Sequence, residues 1–238
     1  MDMDLTSAGI AAVDFSPFFI SMKASVLATF FVFFAGVAAA RWSLRLPRRI
    51  SGVIDGVFTL PMVLPPTVVG FGLLLLLGAQ SPVGQFLTSI GHRIVFSFSA
   101  TVLAAGVVAF PMMYRTARGA FEQVDNNLIS AARTLGHGEW TIFWKVYMPL
   151  AWPGVAAGTI LAFARALGEF GATLMLAGNI PGRTQTMPIA VFAQVEAGHT
   201  EQALLWVIII VIIAFAAVFL MNFLTMRKSH FRKGDDGV

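Results

Sequence analysis

The 238 residues predict an all-α membrane protein of about five transmembrane helices, N-terminus outside and C-terminus in the cytoplasm. Three observations carry that reading. Apolar residues make up 57% of the chain and charged residues 12%, with a mean hydropathy of +0.79; a soluble domain carries about twice that charged fraction. Windows 18–40, 56–78, 94–114, 149–172 and 202–226 each reach the ~20 apolar residues that cross a bilayer core. Basic residues fall on one side. Arg41, Arg45, Arg48 and Arg49 follow the first window, Arg115, Arg118, Arg133 and Lys145 the third, and Arg227, Lys228, Arg232 and Lys233 the last. The alternate segments hold just Arg93 and Arg183. Positive charge stays cytoplasmic, which sets the orientation and requires an odd number of spans.

Composition also excludes chemistry. With no cysteine there is no disulfide, thiolate metal site or thiol nucleophile. His92, His137, His199 and His230 are never paired at helical spacing, so no metal cluster is expected. The pI near 10.0 reads as membrane topology and not as nucleic-acid binding. The start, with Asp2 and Asp4 where a signal peptide is positive, is expected to be an uncleaved extracytoplasmic segment, 1–17. The membrane domain is 18–226, with a cytoplasmic loop at 115–148, and 227–238 is a basic tail that anchors at the interface.

The first window, with Phe30, Phe31, Phe33 and Phe34, reads as a lipid-facing outer helix. The second, "GVFTLPMVLPPTVVGFGLLLLLG", holds Pro61, Pro65 and Pro66, each of which removes a backbone donor. Broken backbone survives in a membrane where it is buried in protein or lines an aqueous cavity. This helix is therefore expected to be kinked or interrupted beside the pathway, with Thr59 and Thr67 re-satisfying freed carbonyls. Asp55, just before the window, suits the positive end of its dipole. The third window is a packing helix rich in small residues: Ser97, Ser99, Ala100, Ala104, Ala105 and Gly106. The fourth carries Gly154 and Gly158 for close packing, and Arg165 and Glu169 four residues apart on one helix face. That charged pair is either a structural fastening or an oxyanion-attracting arginine tempered by its neighbour. Segment 173–200, broken at "GNIPGR", is too short and polar to cross but has apolar halves able to dip into the membrane. The fifth window, apolar all round, is peripheral.

The cytoplasmic loop is more ordered than a linker needs. Asp125, Asn126 and Asn127 cap a helix through Leu128, Ala131, Ala132 and Leu135, and Gly136 and Gly138 turn the chain. A second short helix from Glu139 to Tyr147 carries Trp140, Phe143, Trp144 and Tyr147, a face for the membrane boundary, and Pro149 opens the next span. An exposed helix on such a turn suits insertion into a partner's groove.

Ser130-Ala131-Ala132, then Gly136, then Val146-Tyr147-Met148-Pro149 resembles the cytoplasmic motif of permease subunits of binding-protein-dependent ABC importers. That motif is E-A-A, a glycine four positions on, and I-x-L-P about ten residues later. Ser130 replaces the glutamate, and Val146 and Met148 replace the isoleucine and leucine. "LPMVLPPTVVGFGLLLLLG" and "ARALGEFGATLMLAGNIPGRTQTMPIAVF" further resemble molybdate permeases, within a group that includes sulfate and tungstate permeases. The resemblance spans roughly 18–225. It implies the type I ABC importer permease fold, a homodimer in the bacterial cytoplasmic (inner) membrane, two separate ATPase subunits that bind ATP and Mg, and an extracytoplasmic oxyanion-binding protein. This chain binds no cofactor of its own: "GNIPGRT" is one residue short of a phosphate loop and has Arg183 in place of lysine.

The implied ATPase-coupling residues are Ser130, Ala131, Ala132, Arg133, Thr134, Leu135, Gly136, Glu139 and Pro149. The pathway or gate candidates are Pro61, Pro65, Pro66, Thr67, Arg165 and Glu169. No ring of arginines lies within the membrane, as suits a conduit that must not trap its ion. The implied activity is import of molybdate, with sulfate, thiosulfate or tungstate as alternatives. An autonomous channel or secondary transporter is disfavoured by the lack of inverted repeats and of paired carboxylates.

Overall fold

The computed structural model describes residues 14–232, in which every regular element is helical. Residues 1–13 of the N-terminal segment and 233–238 of the tail lie outside it. Among the described residues four helices are long and apolar enough to cross a membrane, and a bent pair counts as a fifth where it is taken as one broken span.

The centre is α5 (Phe98–Glu122), sandwiched between α1 (Ser16–Ser43) and α8 (Met148–Leu167). Small side chains allow the approach: Ala105 and Ala109 of α5 are buried in one cluster with Ala28 and Ala40 of α1 and Ala151, Val155 and Ala162 of α8, while Ala100 and Ala104 pack with Ala172, Leu176 and Ala177. In lipid, where burial of apolar surface drives little, close van der Waals packing of this kind holds helices together. The glycine pair of α8 performs as expected. A methyl on Gly154 would lie 2.6 Å from Ala120 Cβ, and one on Gly158 2.9 Å from Thr116 Cβ, both on α5.

Two expectations about the first spans change. Helix α1 is not merely an outer helix. Its Phe30, Phe31 and Phe34 do point outward, but Ala24, Ala28, Val32 and Ala40 form one side of the core. The second window is two helices, α2 (Arg48–Val63) and α3 (Pro66–Leu77), bent by 110°. Because α2 starts at Arg48, Asp55 sits in its middle and does not cap it. The carboxylate instead binds Tyr114 and Arg118 of α5, and Arg118 also reaches Glu122 at 2.8 Å. A charge held this way is stabilised by partners and needs no helix dipole.

The polar segments order themselves locally. A short helix, α4 (Pro82–Ser89), follows α3, with Ser81 accepting from the Gly84 N–H at 2.8 Å. Helix α6 (Asn126–Thr134) follows α5, and α7 (Glu139–Ile142) passes through a π-helical turn (Phe143–Tyr147) directly into α8. The interfacial helix and the next span are thus one continuous rod. Pro149 stands directly after the π-helical turn, and the rod continues through it although proline has no N–H to donate.

Helix α8 ends at Leu167, short of the expected 172. Segment 173–200 forms α9 (Gly171–Ala177) and α10 (Met187–Glu196), two short helices that do not make a sixth span. Helix α11 (Thr200–Arg232) packs on α8 and α10, and almost none of its apolar stretch is buried.

Candidate functional site

The turn between α5 and α8 is built from its caps upward. Asp125 Oδ1 accepts the Asn127 N–H at 2.8 Å and starts α6. Ile129 and Ala132 bury one face of α6 in the core, while Ser130, Ala131, Arg133, Thr134, Leu135 and Gly136 are exposed. Leu128 and Leu135 leave about half and three quarters of their surface open. Gly136, at φ +79°, permits the left-handed step that closes α6, with the His137 N–H donating to the Ala132 carbonyl at 3.1 Å.

Glu139 then ties the turn to the bundle. Its Oε1 accepts from Arg133 Nε at 2.7 Å and its Oε2 from Arg41 Nη2 at 2.9 Å, and Arg45 stands 3.9 Å away. The hydrogen bond to Glu139 holds the Arg133 guanidinium above its ordinary pKa, although both groups are open to water. Arg41, at the end of α1, also lies 4.5 Å over the Tyr147 ring. The aromatic face divides: Phe143 and Tyr147 pack inward on Phe121, while Trp140 and Trp144 point out. Arg133 and Glu139 therefore meet, as their place in one motif suggests, whereas Pro149 lies up in α8 away from the turn. Arg41 is a member that sequence spacing could not supply, since it is 98 residues from Glu139.

The second assembly surrounds the break between α2 and α3. Leu64 and Pro65 are extended, and Pro66 opens α3. Against this break lies the turn after α8. A methyl on Gly171 would stand 3.1 Å from Pro66 and Thr67, and one on Gly70 would be 2.7 Å from Ala172 Cα. Glu169, almost wholly buried, accepts the Ala172 N–H on Oε1 at 2.8 Å and so caps α9. Its Oε2 is 2.9 Å from Arg165 Nη2 without hydrogen-bond geometry, leaving a charge contact. Glu169 lies past the end of α8, so the pair spans a helix end and not one face of a continuous helix. Arg165 keeps 30% of its side chain exposed.

The fold thus gathers Pro65, Pro66, Thr67, Arg165 and Glu169 near one break. Pro61 stands apart, lining an apolar groove of about 680 Å³ between α1, α2 and α5. Thr59 donates to the Asp55 carbonyl at 2.6 Å, not to the Val57 carbonyl that Pro61 frees. Among the described residues no group of His, Asp and Glu could hold a metal ion.

Residues 32–230 match the family of binding-protein-dependent transport system inner membrane components. This chain belongs to that family. Such a permease is a transport subunit whose companions are an ATPase and a binding protein, and it is a multi-pass membrane protein. Among its relatives, YvgM of Bacillus subtilis is 40% identical over 230 residues, covering 96% of this permease and all of that protein. The molybdenum transport system permease protein ModB of Escherichia coli K12 is 43% identical over 183 residues, covering 76% of this chain and 80% of that one. ModB of Azotobacter vinelandii is 36% identical, covering 84% and 87%. Solved structures share the permease fold at lower identity. An alginate importer superposes with a TM-score of 0.71 at 14% identity over 89% of this chain and 78% of its own. The inward-facing MetNI methionine transporter gives 0.64 at 18%, over 88% and 94%.

Proposed function

We propose that this permease forms the transmembrane pathway of a molybdate importer. Two identical copies enclose the path in the bacterial cytoplasmic membrane, with α6 on the cytoplasmic side and the N-terminus outside. Two separate ATPase subunits bind ATP and Mg and seat α6 in a groove. Closure of the ATPases on ATP pushes the segment from Ser130 to Gly136. Glu139 carries the push through Arg133 and Arg41 to α1, and through the continuous α7–α8 rod to the break where Pro65, Pro66, Thr67, Arg165 and Glu169 meet. The spans then tilt from inward-open to outward-open, and a loaded binding protein delivers its anion from outside.

The observation that carries this reading is the near full-length likeness to molybdenum permeases. The orientation rests on the distribution of Lys and Arg, and the coupling role rests on the exposed face of α6 beside the Glu139 ion pairs.

Reconstitution with an ABC ATPase subunit and an oxyanion-binding protein tests the substrate. ATP-dependent uptake of molybdate that excess sulfate or thiosulfate leaves intact is expected. Preferential uptake of sulfate, thiosulfate or tungstate would reassign the anion, and flux without ATP would remove the class. The chain has no cysteine, so Arg133→Cys supplies a single thiol for crosslinking to the ATPase. Absence of any crosslink would count against α6 as the docking element.

A further inference from the structure

The alternate segments carry two basic residues, Arg93 and Arg183, ninety positions apart in the chain. Both line one cavity of about 1080 Å³ at the end of the bundle opposite α6, together with His92, Gln80, Ser81 and Thr88. No acidic residue lines it, and neither arginine forms an ion pair among the described residues.

The convergence is built. Helix α4 ends at Ser89, and just beyond it Gly91, at φ +82°, lets the His92 N–H reach the Leu87 carbonyl at 2.9 Å, and Arg93 follows that fixed step. Arg183 rides a turn in which its N–H donates to the Ile180 carbonyl at 3.1 Å. The buried Thr184 hydroxyl pins the same turn, accepting from Ile180 N–H at 3.1 Å and donating to the Gly178 carbonyl at 3.3 Å. Phe96 joins the two loops. Its N–H donates to the Leu176 carbonyl at 3.1 Å, and its ring fills the space at Gly178, where a methyl would lie 3.0 Å from Phe96 Cδ1. To do both, Phe96 adopts φ +58°, a strained conformation for a bulky residue that the surrounding contacts must hold.

We infer that this cavity is an external receiving site for a tetrahedral oxyanion dianion, in which Arg93 and Arg183 take the ion from the binding protein before it enters the membrane. The inference rests on the orientation and oxyanion substrate proposed above. Guanidinium forks match oxyanion oxygens, and hydroxyl and amide groups beside them offer further donors. Uncompensated positive charge in a recess concentrates anions. Open to solvent, the site holds the ion weakly, as a relay must if the ion is to leave again. The two arginines line a recess whose remaining wall is largely apolar, with Leu74, Leu75, Leu77, Ile94 and Phe96, whereas the carboxylates of a docking protein meet arginines on an open face.

The test is the reconstituted complex with R93Q, R183Q and the double variant, varying the concentration of molybdate-loaded binding protein. Losing charge-assisted hydrogen bonds should lower the double variant's maximal uptake about tenfold. The half-saturating concentration of binding protein should stay unchanged, and Arg→Lys at both positions should restore most of the uptake. A raised half-saturating concentration with full maximal uptake would show that the arginines dock the binding protein, overturning the inference. So would unchanged kinetics. Melting temperature and basal ATPase activity, expected to match the unmodified complex, exclude a folding defect. Uptake by the unmodified complex tests the reading beneath: if it carries neither molybdate nor sulfate, both fall, whereas normal uptake with insensitive variants sinks this inference alone.

Discussion

Glu139 concentrates more of the permease's polar wiring than any other residue of the α6–α8 turn. It accepts from Arg133 and Arg41 and has Arg45 nearby. The Arg133 and Arg45 pairs, half open to water, contribute little to stability, about 0–1 kcal/mol each. The effect of the Arg133 and Arg41 contacts is geometric: they tie α6 and α7 to α1. Glu139→Gln should therefore leave the melting temperature nearly unchanged while lowering molybdate imported per ATP hydrolysed several-fold; an unaltered ratio would remove Glu139 from the coupling route. Arg41 is less exposed and also covers Tyr147, so Arg41→Gln should cost stability as well, about 1–2 kcal/mol in thermal unfolding of the solubilised complex. The exposed members of the turn were legible in the sequence because caps, glycines and a helical period are local signals. Arg41 as a partner of Glu139 and the Asp55–Arg118 contact were not, because nothing near a charged residue says which distant partner will neutralise it.

At the scale of elements, the close approaches are where side-chain volume decides. The interior face of α8 crosses α5 at Gly154 and Gly158, and α3 meets α9 at Gly70. Gly158→Leu or Gly70→Val would drive carbon into Thr116 or into the Ala172 backbone. Each should cost about 1–3 kcal/mol in unfolding measurements, with Gly70 losing uptake out of proportion because it sits at the break. The proline cluster announced an interruption, and a 110° bend is present. Its size was not readable: proline removes a donor and admits a kink, but packing of Gly171 on Pro66 and Thr67 selects the angle. Replacing Pro65 and Pro66 together by alanine should therefore leave the bend in place yet loosen it, seen as reduced uptake with normal membrane insertion. The π-helical turn had no forewarning either, since its extra residue follows from matching Phe143 and Tyr147 to Phe121 while the rod stays continuous.

At the scale of the whole molecule, the permease has charged clusters at its two ends and an apolar middle interrupted at one break. It offers no nucleotide loop, so purified permease in liposomes without ATPase and binding protein should pass no molybdate; full flux from the permease alone would end the proposed mechanism. The sequence by itself determined the helical class, the apolar helices long enough to cross a membrane, the uneven sharing of Lys and Arg among the connecting segments and the helix-capped glycine turn. Each follows from what lipid, water and the backbone demand of neighbouring residues. Only the tertiary structure decided that α1 belongs to the core, that Glu169 caps α9 instead of standing on a helix face, and that Arg93 and Arg183 share a cavity. Those outcomes depend on which surfaces meet across many tens of residues, where shape and charge complementarity act and local periodicity carries no information.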